Sequence, residues 1–334
     1  MTERRATIAA FLDRAGWGDA GRRPLAADAS FRKYERLSGL RGTAVLMDAP
    51  PPQENVRPFL KIARHLSALG YSAPTILAED ATVGLLLLED LGDDTFTRLL
   101  AAGADEAALY RLAVDLLIDL HRRAEVATID LPLYDDERLL REVSLLTDWY
   151  MPAIGRPASP AVRDDYMARW REVLEMFHGV RTTLVLRDYH VDNLMRLPGR
   201  IGIAACGLLD FQDAVIGPAA YDLVSLLEDA RRDIAPELVK AMIGRYFDAF
   251  PSMNRDEFLA GYTVLGAQRS AKIVGIFTRL MVRDGKPHYL GHIPRVWRLL
   301  EAGLQQPALK SVRPWFEEHL PRGVRAVPAA RVLA

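Results

Sequence analysis

The sequence predicts an α+β fold in which a small segment of five strands and one helix precedes a larger, mostly helical segment. Short apolar runs broken by turn residues fill residues 1–90. From Thr95 onward, apolar residues recur at three- and four-residue spacing, which is the period of an amphipathic helix. The exception is 184–216, where strand-like runs return among the helices. A chain of 334 residues is long enough for two such segments, 1–90 and 91–334.

The first segment contains five runs of strand character separated by turn residues. Between the third and fourth runs, prolines end the strand, and a helix follows in "VRPFLKIARHLSALG" with Gly70 placed to end it. The alternation of strands with a single helix predicts a small α+β unit. The five runs are "RRPLAAD", "FRKYERL", "TAVLMDA", "TILAED" and "GLLLLED".

The second segment is predicted to be helical apart from one interruption. Within 184–216, "TLVLRDYHVDNLMRL" and "IGIAACGLLDFQDAVIG" have the pattern of a strand, a polar loop and short strands. The helical stretches are "EAALYRLAVDLLIDLHRRA", "DERLLREVSLLTDWYM", "DDYMARWREVLEMF" and most of 218–304.

Composition narrows the function classes. With 43 basic and 44 acidic residues, the chain has no overall charge that would favour nucleic acid or an anionic membrane as a partner. Cys206 is the single cysteine, which excludes an internal disulfide and a Cys-rich zinc site and suits a reducing compartment. The N-terminus lacks the pattern of a signal peptide, and the aliphatic run at 85–88 is too short to span a bilayer. We therefore expect a cytoplasmic protein.

The loop "LRDYHVDNLM" at 186–195 concentrates two acids, a histidine and an amide. Asp188 and Asn193 are followed by Asp210, which opens "DFQDA" after another apolar run. Phosphoryl transfer needs a divalent cation on the phosphates and a positioned acceptor, and Mg²⁺ prefers carboxylate and amide oxygens. Asn193 and Asp210 are therefore predicted to be Mg²⁺ ligands. Asp188 is predicted to orient the acceptor hydroxyl and accept its proton.

The pattern D-x-x-x-x-N followed by D-F-x resembles the catalytic loop (184–196) and metal motif (208–213) of the protein-kinase-like superfamily. More narrowly it resembles the aminoglycoside phosphotransferase and choline kinase branch, to which "GPAAYDLVSLLEDARRD" is also similar. The resemblance implies a bilobal protein-kinase-like fold, with a nucleotide-binding N-lobe at 1–90 and a C-lobe at 91–334. It also implies ATP between the lobes and Mg²⁺ as cofactor.

Three positions depart from the family pattern. Leu186 stands where that branch has a motif histidine, and Leu46 or Met47 stands where the superfamily usually has a phosphate-binding lysine. The next helix has Glu54 early but no glutamate at the usual pairing position. Both members of the lysine–glutamate pair are thus missing, so the cation on the α- and β-phosphates is expected from elsewhere.

The nucleotide site is therefore predicted from other residues. Arg32 and Lys33 in "ADASFRKY" are the nearest candidate cations, and Ser30 with backbone N–H groups would cover the phosphates. Adenine is expected to bind the backbone near Glu89, Asp90 and Leu91.

Five longer stretches bring the resemblance closer to the bacterial anomeric sugar kinases of cell-wall recycling. Members of that family phosphorylate the 1-hydroxyl of N-acetylmuramate and N-acetylglucosamine with ATP, and the resemblance implies this activity. Spacing alone predicts only metal-assisted phosphoryl transfer to a hydroxyl. The stretches are "VLMDAPP", "LLLLEDLGD", "RDYHVDNLM", "LLDFQDAVIGPAAYDLVSLLEDARRD" and "IPRVWRLL".

A basic face, defined as Arg269, Lys272, Arg279 and Arg283, projects within an arc of about 80° on a helix of about 100° per residue. It is either a solvated face or a wall of the acceptor cleft, where Arg269 or Lys272 would hold the lactyl carboxylate of N-acetylmuramate. The predicted substrate-binding residues are Arg187, Tyr189, Gln212, Arg269 and Lys272.

Alternatives remain open at this point. The acceptor could be an aminoglycoside or a choline-like alcohol, although these cations favour an acidic, aromatic wall. The missing lysine could also mark a pseudokinase without turnover. His190 invites a metal or base role, but no second histidine stands at ligand spacing, so a role in holding the loop is favoured. Asp213 and Asp222 are either caps or holders of the loops near Asp210.

Overall fold

The computed structural model describes residues 2–25, 31–180 and 182–329. The strands are β1 (Gly21–Pro24), β2 (Lys33–Gly39), β3 (Gly42–Asp48), β4 (Ile76–Asp80), β5 (Leu85–Glu89), β6 (Thr182–Val185), β7 (Leu194–Arg196), β8 (Cys206–Leu208) and β9 (Val215–Pro218). The helices are α1 (Thr2–Arg14), α2 (Arg57–Ala68), α3 (Phe96–Ala101), α4 (Glu106–Arg122), α5 (Asp136–Leu145), α6 (Met151–Ala153), α7 (Pro160–Leu174), α8 (Ala220–Leu227), α9 (Pro236–Ala249), α10 (Arg255–Asp284), α11 (Ile293–Leu304) and α12 (Arg313–His319).

The chain forms two compact units. The first unit contains Met1–Leu116 and Val191–Ala214, and the second contains Leu117–His190 and Val215–Ala334. These units follow from which segments pack together. The predicted lobes at 1–90 and 91–334 stay a prediction.

The first unit is built on a five-stranded antiparallel sheet in the order β1-β2-β3-β5-β4. A strand is present in each of the five predicted runs, although 26–28 of the first run lie outside the described residues. Helix α2 is the predicted intervening helix. Gly70 has φ 86°, and the Tyr71 amide donates to the Leu66 carbonyl at 3.0 Å, so a left-handed glycine ends α2 as expected.

One element of the first unit was not predicted. Helix α1 packs Ile8, Phe11 and Leu12 against Leu37 and Leu87 of the sheet, and all five side chains are at most 5% exposed. The spacing of Ile8, Phe11 and Leu12 is that of an amphipathic helix, so the signal was present in the sequence. Without α1 this face of the sheet would expose its apolar side chains to water.

The hairpin of β7 and β8 belongs to the first unit. It contains the last residues of the predicted catalytic loop (184–196) and the first residue of the predicted metal motif (208–213). Leu194 pairs with Leu208 and Arg196 with Cys206, and Ser72 forms an isolated bridge with Gly207. Apart from the half-buried Arg196, the strand residues of the hairpin are apolar and buried, so the polar residues at their ends follow a buried base.

The second unit is organised around α10, a helix of 30 residues that contacts α5, α8 and α11. At Gly275 an added Cβ would lie 2.4 Å from the carbonyl oxygen of Leu145, so glycine allows α10 to approach the end of α5 closely. A π-helical turn, Leu146–Tyr150, continues α5 into α6. Strand β6 pairs with β9 in the same unit. In the described residues, no helix is long and apolar enough to cross a membrane.

Candidate active site

The predicted metal ligands flank the β7–β8 hairpin of the first unit. Asn193 immediately precedes β7, and Asp210 follows β8 by two residues. The ladder continues past the strands, because the Leu209 amide donates to the Asn193 carbonyl at 2.9 Å. Residues opposite each other in an antiparallel ladder lie about 5 Å apart. Backbone pairing therefore brings the Asn193 and Asp210 backbones together, although 16 residues separate them in the sequence.

Two side chains reach the Asp210 carboxylate within the first unit. Gln212 Nε2 donates to Asp210 Oδ1 at 2.7 Å, and Arg32 Nη2 lies 3.4 Å from the same oxygen. Arg32 Nε is also 3.9 Å from Glu54, whose carboxylate accepts from the Phe31 amide at 3.0 Å. One predicted phosphate cation thus lies beside one predicted metal ligand.

The other predicted phosphate-site residues have different surroundings. Lys33 begins β2 and is exposed, and its register partner is Asp48 of β3. Ser30 lies outside the described residues. At the position of the missing lysine, Leu46 and Met47 are at most 1% exposed within β3. Among the candidates that the structure describes, Arg32 is the one that contacts Asp210.

The side chains of Glu89 and Asp90 are engaged in contacts within the first unit. Glu89 accepts from the Thr75 hydroxyl at 2.8 Å and pairs with Arg200. Asp90 Oδ2 is 2.8 Å from Arg36 Nε, and Arg36 is a buried residue that is not among the predicted site residues. These carboxylates organise the segment, which leaves the predicted adenine contact to backbone atoms from Glu89 to Leu91.

Asp188 lies in the second unit, three residues after β6. Asp222 of α8 holds the turn before it, because its carboxylate accepts from the Leu186 amide at 2.7 Å and from the Arg187 amide at 2.9 Å. The Ser225 hydroxyl, also on α8, donates to the Arg187 carbonyl at 3.1 Å. The structure thus assigns Asp222 a role that the sequence left undecided: it holds the backbone next to Asp188.

Asp222 is fully buried, and burial raises its pKa to about 7. The two backbone hydrogen bonds oppose that rise of the pKa, the charge of Asp188 adds to it, and the charge of Arg269 opposes it. Two amide donors satisfy the carboxylate in its charged form. Since the pKa is about 7, these donors offset only part of the cost of burying the charged group.

The Arg187 side chain belongs to a second buried cluster of the same unit. It forms an ion pair with Glu142 of α5, and Lys272 Nζ of α10 lies 3.0 Å from the same carboxylate. Burial would raise the pKa of Glu142, but Lys272, Arg187 and two hydrogen bonds outweigh it and lower that pKa to about 2. Glu142 is the residue that sequence reasoning missed most clearly, since a single acid in a helical stretch carries no local signal.

The basic face is only partly exposed to solvent. Arg269 is 5% and Lys272 8% exposed, so the solvated-face interpretation is wrong for these two residues, because α10 is covered by neighbouring helices. Burial raises the pKa of Asp222 and of Glu228, and the charge of Arg269 opposes both rises, so Arg269 lies near these two acids. Their predicted substrate contacts stay predictions, and burial disfavours them.

The remaining predicted residues have scaffold-like surroundings. Tyr189 is 1% exposed and His190 4%, and His190 Nε2 lies 3.4 Å from Arg231 Nη1. Asp192 accepts from the Thr97 hydroxyl within the first unit. The His190 contact fits its interpretation as a residue that holds the loop, and Asp192 likewise contacts another residue of the chain.

Two non-glycine residues in the described chain have positive φ, Arg187 at 69° and Asp210 at 57°. Left-handed backbone costs an L-residue about 1–2 kcal/mol, and such outliers concentrate at functional sites. One of them is a predicted metal ligand and the other directly precedes the predicted base. The strain therefore coincides with the two motifs predicted to carry the chemistry.

The two predicted metal ligands suit a Mg²⁺ ion whose other ligands come from a bound substrate and water. The described residues contain no group of three or more His, Cys, Asp and Glu side chains that could hold a metal. Mg²⁺ on nucleotides typically uses one or two carboxylates, with phosphate oxygens and water completing the shell. Asn193 and Asp210, joined by the hairpin, supply an amide oxygen and a carboxylate of this kind.

Comparisons with known proteins agree on one family. The profile of a phosphotransferase enzyme family matches residues 21–257. An N-acetylmuramate/N-acetylglucosamine kinase of Caulobacter vibrioides is 39% identical over 96% of this chain and 98% of its own. A protein of the same name from Pseudomonas aeruginosa is 39% identical over 93% of both chains.

A solved structure shows the fold. The choline/ethanolamine kinase family protein of Mesorhizobium loti superposes with a TM-score of 0.63 at 15% identity, over 94% of this chain and 99% of its own. At that identity the likeness concerns the fold alone. The predicted α+β, protein-kinase-like fold is confirmed.

Proposed function

The chain belongs to the phosphotransferase enzyme family, and from this premise we propose that it transfers the γ-phosphate of ATP to the anomeric hydroxyl of an amino sugar. The named relatives and the family make it an ATP-dependent kinase that acts on a sugar. The anomeric position, the choice between N-acetylmuramate and N-acetylglucosamine, and a place in peptidoglycan recycling in the cytoplasm belong to the proposal.

Asp188 is the proposed base. It would orient the acceptor hydroxyl and take its proton as the oxygen attacks the γ-phosphorus in line. Two observations support this role. Asp188 lies in the same sequence loop as Asn193, and Asp222 anchors the turn that precedes Asp188. A positioned base contributes about 10²–10⁴-fold to the rate.

Asn193 and Asp210 are the proposed Mg²⁺ ligands. The observation that carries the phosphoryl-transfer proposal is the hairpin pairing that holds their backbones together, through the Leu209–Asn193 hydrogen bond of 2.9 Å. A bound Mg²⁺ would neutralise charge on the phosphate oxygens. Gln212 is hydrogen-bonded to Asp210 and would keep that carboxylate oriented.

Arg32 is the proposed substitute for the missing third-strand lysine. It lies within 4 Å of both Asp210 and Glu54, whereas Lys33 is exposed. A guanidinium suits this task because it presents several donors in a planar fork that matches phosphate oxygens. The backbone from Glu89 to Leu91 is proposed for adenine.

The identity of the acceptor is the most detailed part of the proposal. Arg187, Tyr189, Gln212, Arg269 and Lys272 were predicted to contact it. Arg187 and Lys272 pair with Glu142 and Arg269 is buried, so the preference for an amino sugar over an aminoglycoside or a choline-like alcohol rests on the named relatives. A pseudokinase is the alternative from a different class. It has no need of Asp188, Asn193 and Asp210 together.

The decisive experiment measures Mg²⁺-dependent ATP consumption with N-acetylmuramate, N-acetylglucosamine, an aminoglycoside and choline as acceptors. We expect turnover with one or both amino sugars. The product should lose reducing-end reactivity and its phosphate should be acid-labile, because a 1-phosphate blocks the anomeric carbon. A product that keeps its reducing end would reject the anomeric position, and nucleotide binding without any turnover would support the pseudokinase.

A further inference from the structure

Glu142 is a buried carboxylate whose hydrogen-bonding capacity is filled. It is 8% exposed and accepts from the Tyr134 hydroxyl at 2.5 Å and from Gln268 Nε2 at 3.2 Å. Lys272 Nζ lies 3.0 Å away, and Arg187 Nη2 contacts Oε1. Since an ionised carboxylate offers about four lone-pair sites, four donors from four residues satisfy it.

These donors come from separate elements of the second unit. Tyr134 precedes α5, and Gln268 and Lys272 lie four residues apart on α10, so they share one face of that helix. Lys272 Nζ also lies 3.2 Å from the Tyr221 hydroxyl of α8. The cluster therefore fixes the Arg187 side chain against three helices, α5, α8 and α10.

Arg187 is anchored through its backbone as well. Asp222 and Ser225 of α8 hold its amide and carbonyl, and its φ of 69° is costly without such anchors. The next residue in the chain is Asp188. Any rotation at Arg187 would swing Asp188, whereas a backbone held at amide, carbonyl and side chain leaves it little freedom.

We propose that Glu142 is a positioning residue: by clamping the Arg187 side chain it fixes the loop that carries Asp188, an inference that rests on the proposed kinase function. Nothing in the motif itself requires this acid, which lies 45 residues before Arg187. A displacement of about 1 Å at a reacting group can cost roughly 10²-fold in rate, so the clamp can act on turnover without touching substrate.

The test is a double-mutant cycle on turnover. Glu142→Gln and Arg187→Gln should each lower kcat by about 10–100-fold, with the KM for ATP within a few-fold of wild type. The double variant should be no slower than the slower single variant, because both changes remove the same clamp. Arg141→Gln is the matched control: Arg141 is the exposed neighbour of Glu142 on α5 and should leave kcat unchanged.

Thermal unfolding of each variant separates misfolding from misplacement. If Glu142→Gln does not fold, Glu142→Asp keeps the charge but withdraws it by one methylene, and it should fold and still lower kcat. Unchanged kcat in a folded Glu142 variant, or fully additive losses in the cycle, would overturn the positioning role alone. A wild type inactive on every amino sugar would overturn the proposed function and this inference with it.

Discussion

The Nη2 atom of Arg32 lies 3.4 Å from the Oδ1 atom of Asp210, and both residues belong to the first unit. Arg32 precedes β2 and Asp210 follows β8, so the contact joins the predicted phosphate cation to the predicted metal ligand across 178 residues of sequence. The neighbouring Lys33 is exposed. The fold thus distinguishes between two adjacent cations that the sequence left equivalent.

Arg32→Met should raise the KM for ATP by about 10–100-fold, since a charge-assisted hydrogen bond contributes about 1.5–3 kcal/mol. The KM for the sugar should change little. Steady-state kinetics with ATP as the varied substrate measure this, and Lys33→Met is the matched control. Equal effects of both substitutions would contradict the assignment of Arg32.

Asp210→Ala should abolish Mg²⁺-dependent turnover while the protein stays folded. Removing a metal carboxylate deletes charge stabilisation without opening a cavity in the core. The positive φ of 57° at this position is no easier for alanine than for aspartate, so a small loss of stability is expected as well. The measurement is a Mg²⁺ titration of turnover beside thermal unfolding, with the exposed Asp19→Ala as control. A variant that unfolds, together with a wild type that needs no metal, would make Asp210 structural.

Asp188→Asn should lower kcat by about 10²–10⁴-fold, because an amide cannot accept the hydroxyl proton. Binding of ATP with Mg²⁺ should persist, which calorimetric titration can measure. Asp164 is an exposed residue of the same unit, and Asp164→Ala is the control for removing an acidic side chain outside the site. Turnover within a few-fold of wild type would refute the role of base.

The loops and strand ends that carry the predicted site residues could be placed from the sequence, because each has a short-range cause. Strand-like runs flank Asp188, Asn193 and Asp210, so their motifs had to fall in loops at strand ends. The ladder between β7 and β8 then joins Asn193 to Leu209. The closeness of Asn193 and Asp210 could therefore be predicted from short-range patterns, while their roles as metal ligands stay predictions.

The features that could not be predicted from the sequence are those that depend on tertiary packing. Arg269 and Lys272 share a helical face, and that periodicity is the same whether the face meets water or other helices. Only the enclosure of α10 by α5, α8 and α11 decides that both side chains are buried. The pairing of Arg187 with Glu142 is likewise invisible to local patterns, because neither residue's neighbours in sequence reveal the other.

The free energy of unfolding should depend on pH through the Glu142 carboxyl group. Its pKa is lowered from 4.5 to about 2, so the charged form is stabilised in the fold. This contribution is fully present above the unfolded pKa and is lost as pH falls from about 4.5 toward 2. At about 1.4 kcal/mol per pKa unit it amounts to roughly 3 kcal/mol.

Urea unfolding of wild type and Glu142→Gln at pH 7, 5, 4 and 3 tests this contribution. The difference in unfolding free energy should be largest at pH 7 and 5 and shrink toward pH 3. Glu137→Gln, at an exposed site on the same helix, should show a small difference at every pH. A difference for Glu142→Gln that grows on acidification would have the wrong sign and reject the lowered pKa.

Arg269→Met separates the two remaining interpretations of the buried end of the basic face. A contact with the lactyl carboxylate predicts a loss of at least about tenfold in kcat/KM for N-acetylmuramate alone, since N-acetylglucosamine lacks that anion. Burial at 5% exposure beside Asp222 and Glu228 instead favours a structural role. Removing one partner from buried charges costs about 3–5 kcal/mol, so we expect a lower Tm and losses on the two sugars that agree within about threefold. Thermal unfolding with kcat/KM on both sugars decides the matter: a selective loss on N-acetylmuramate at unchanged Tm would restore Arg269 to the acceptor site.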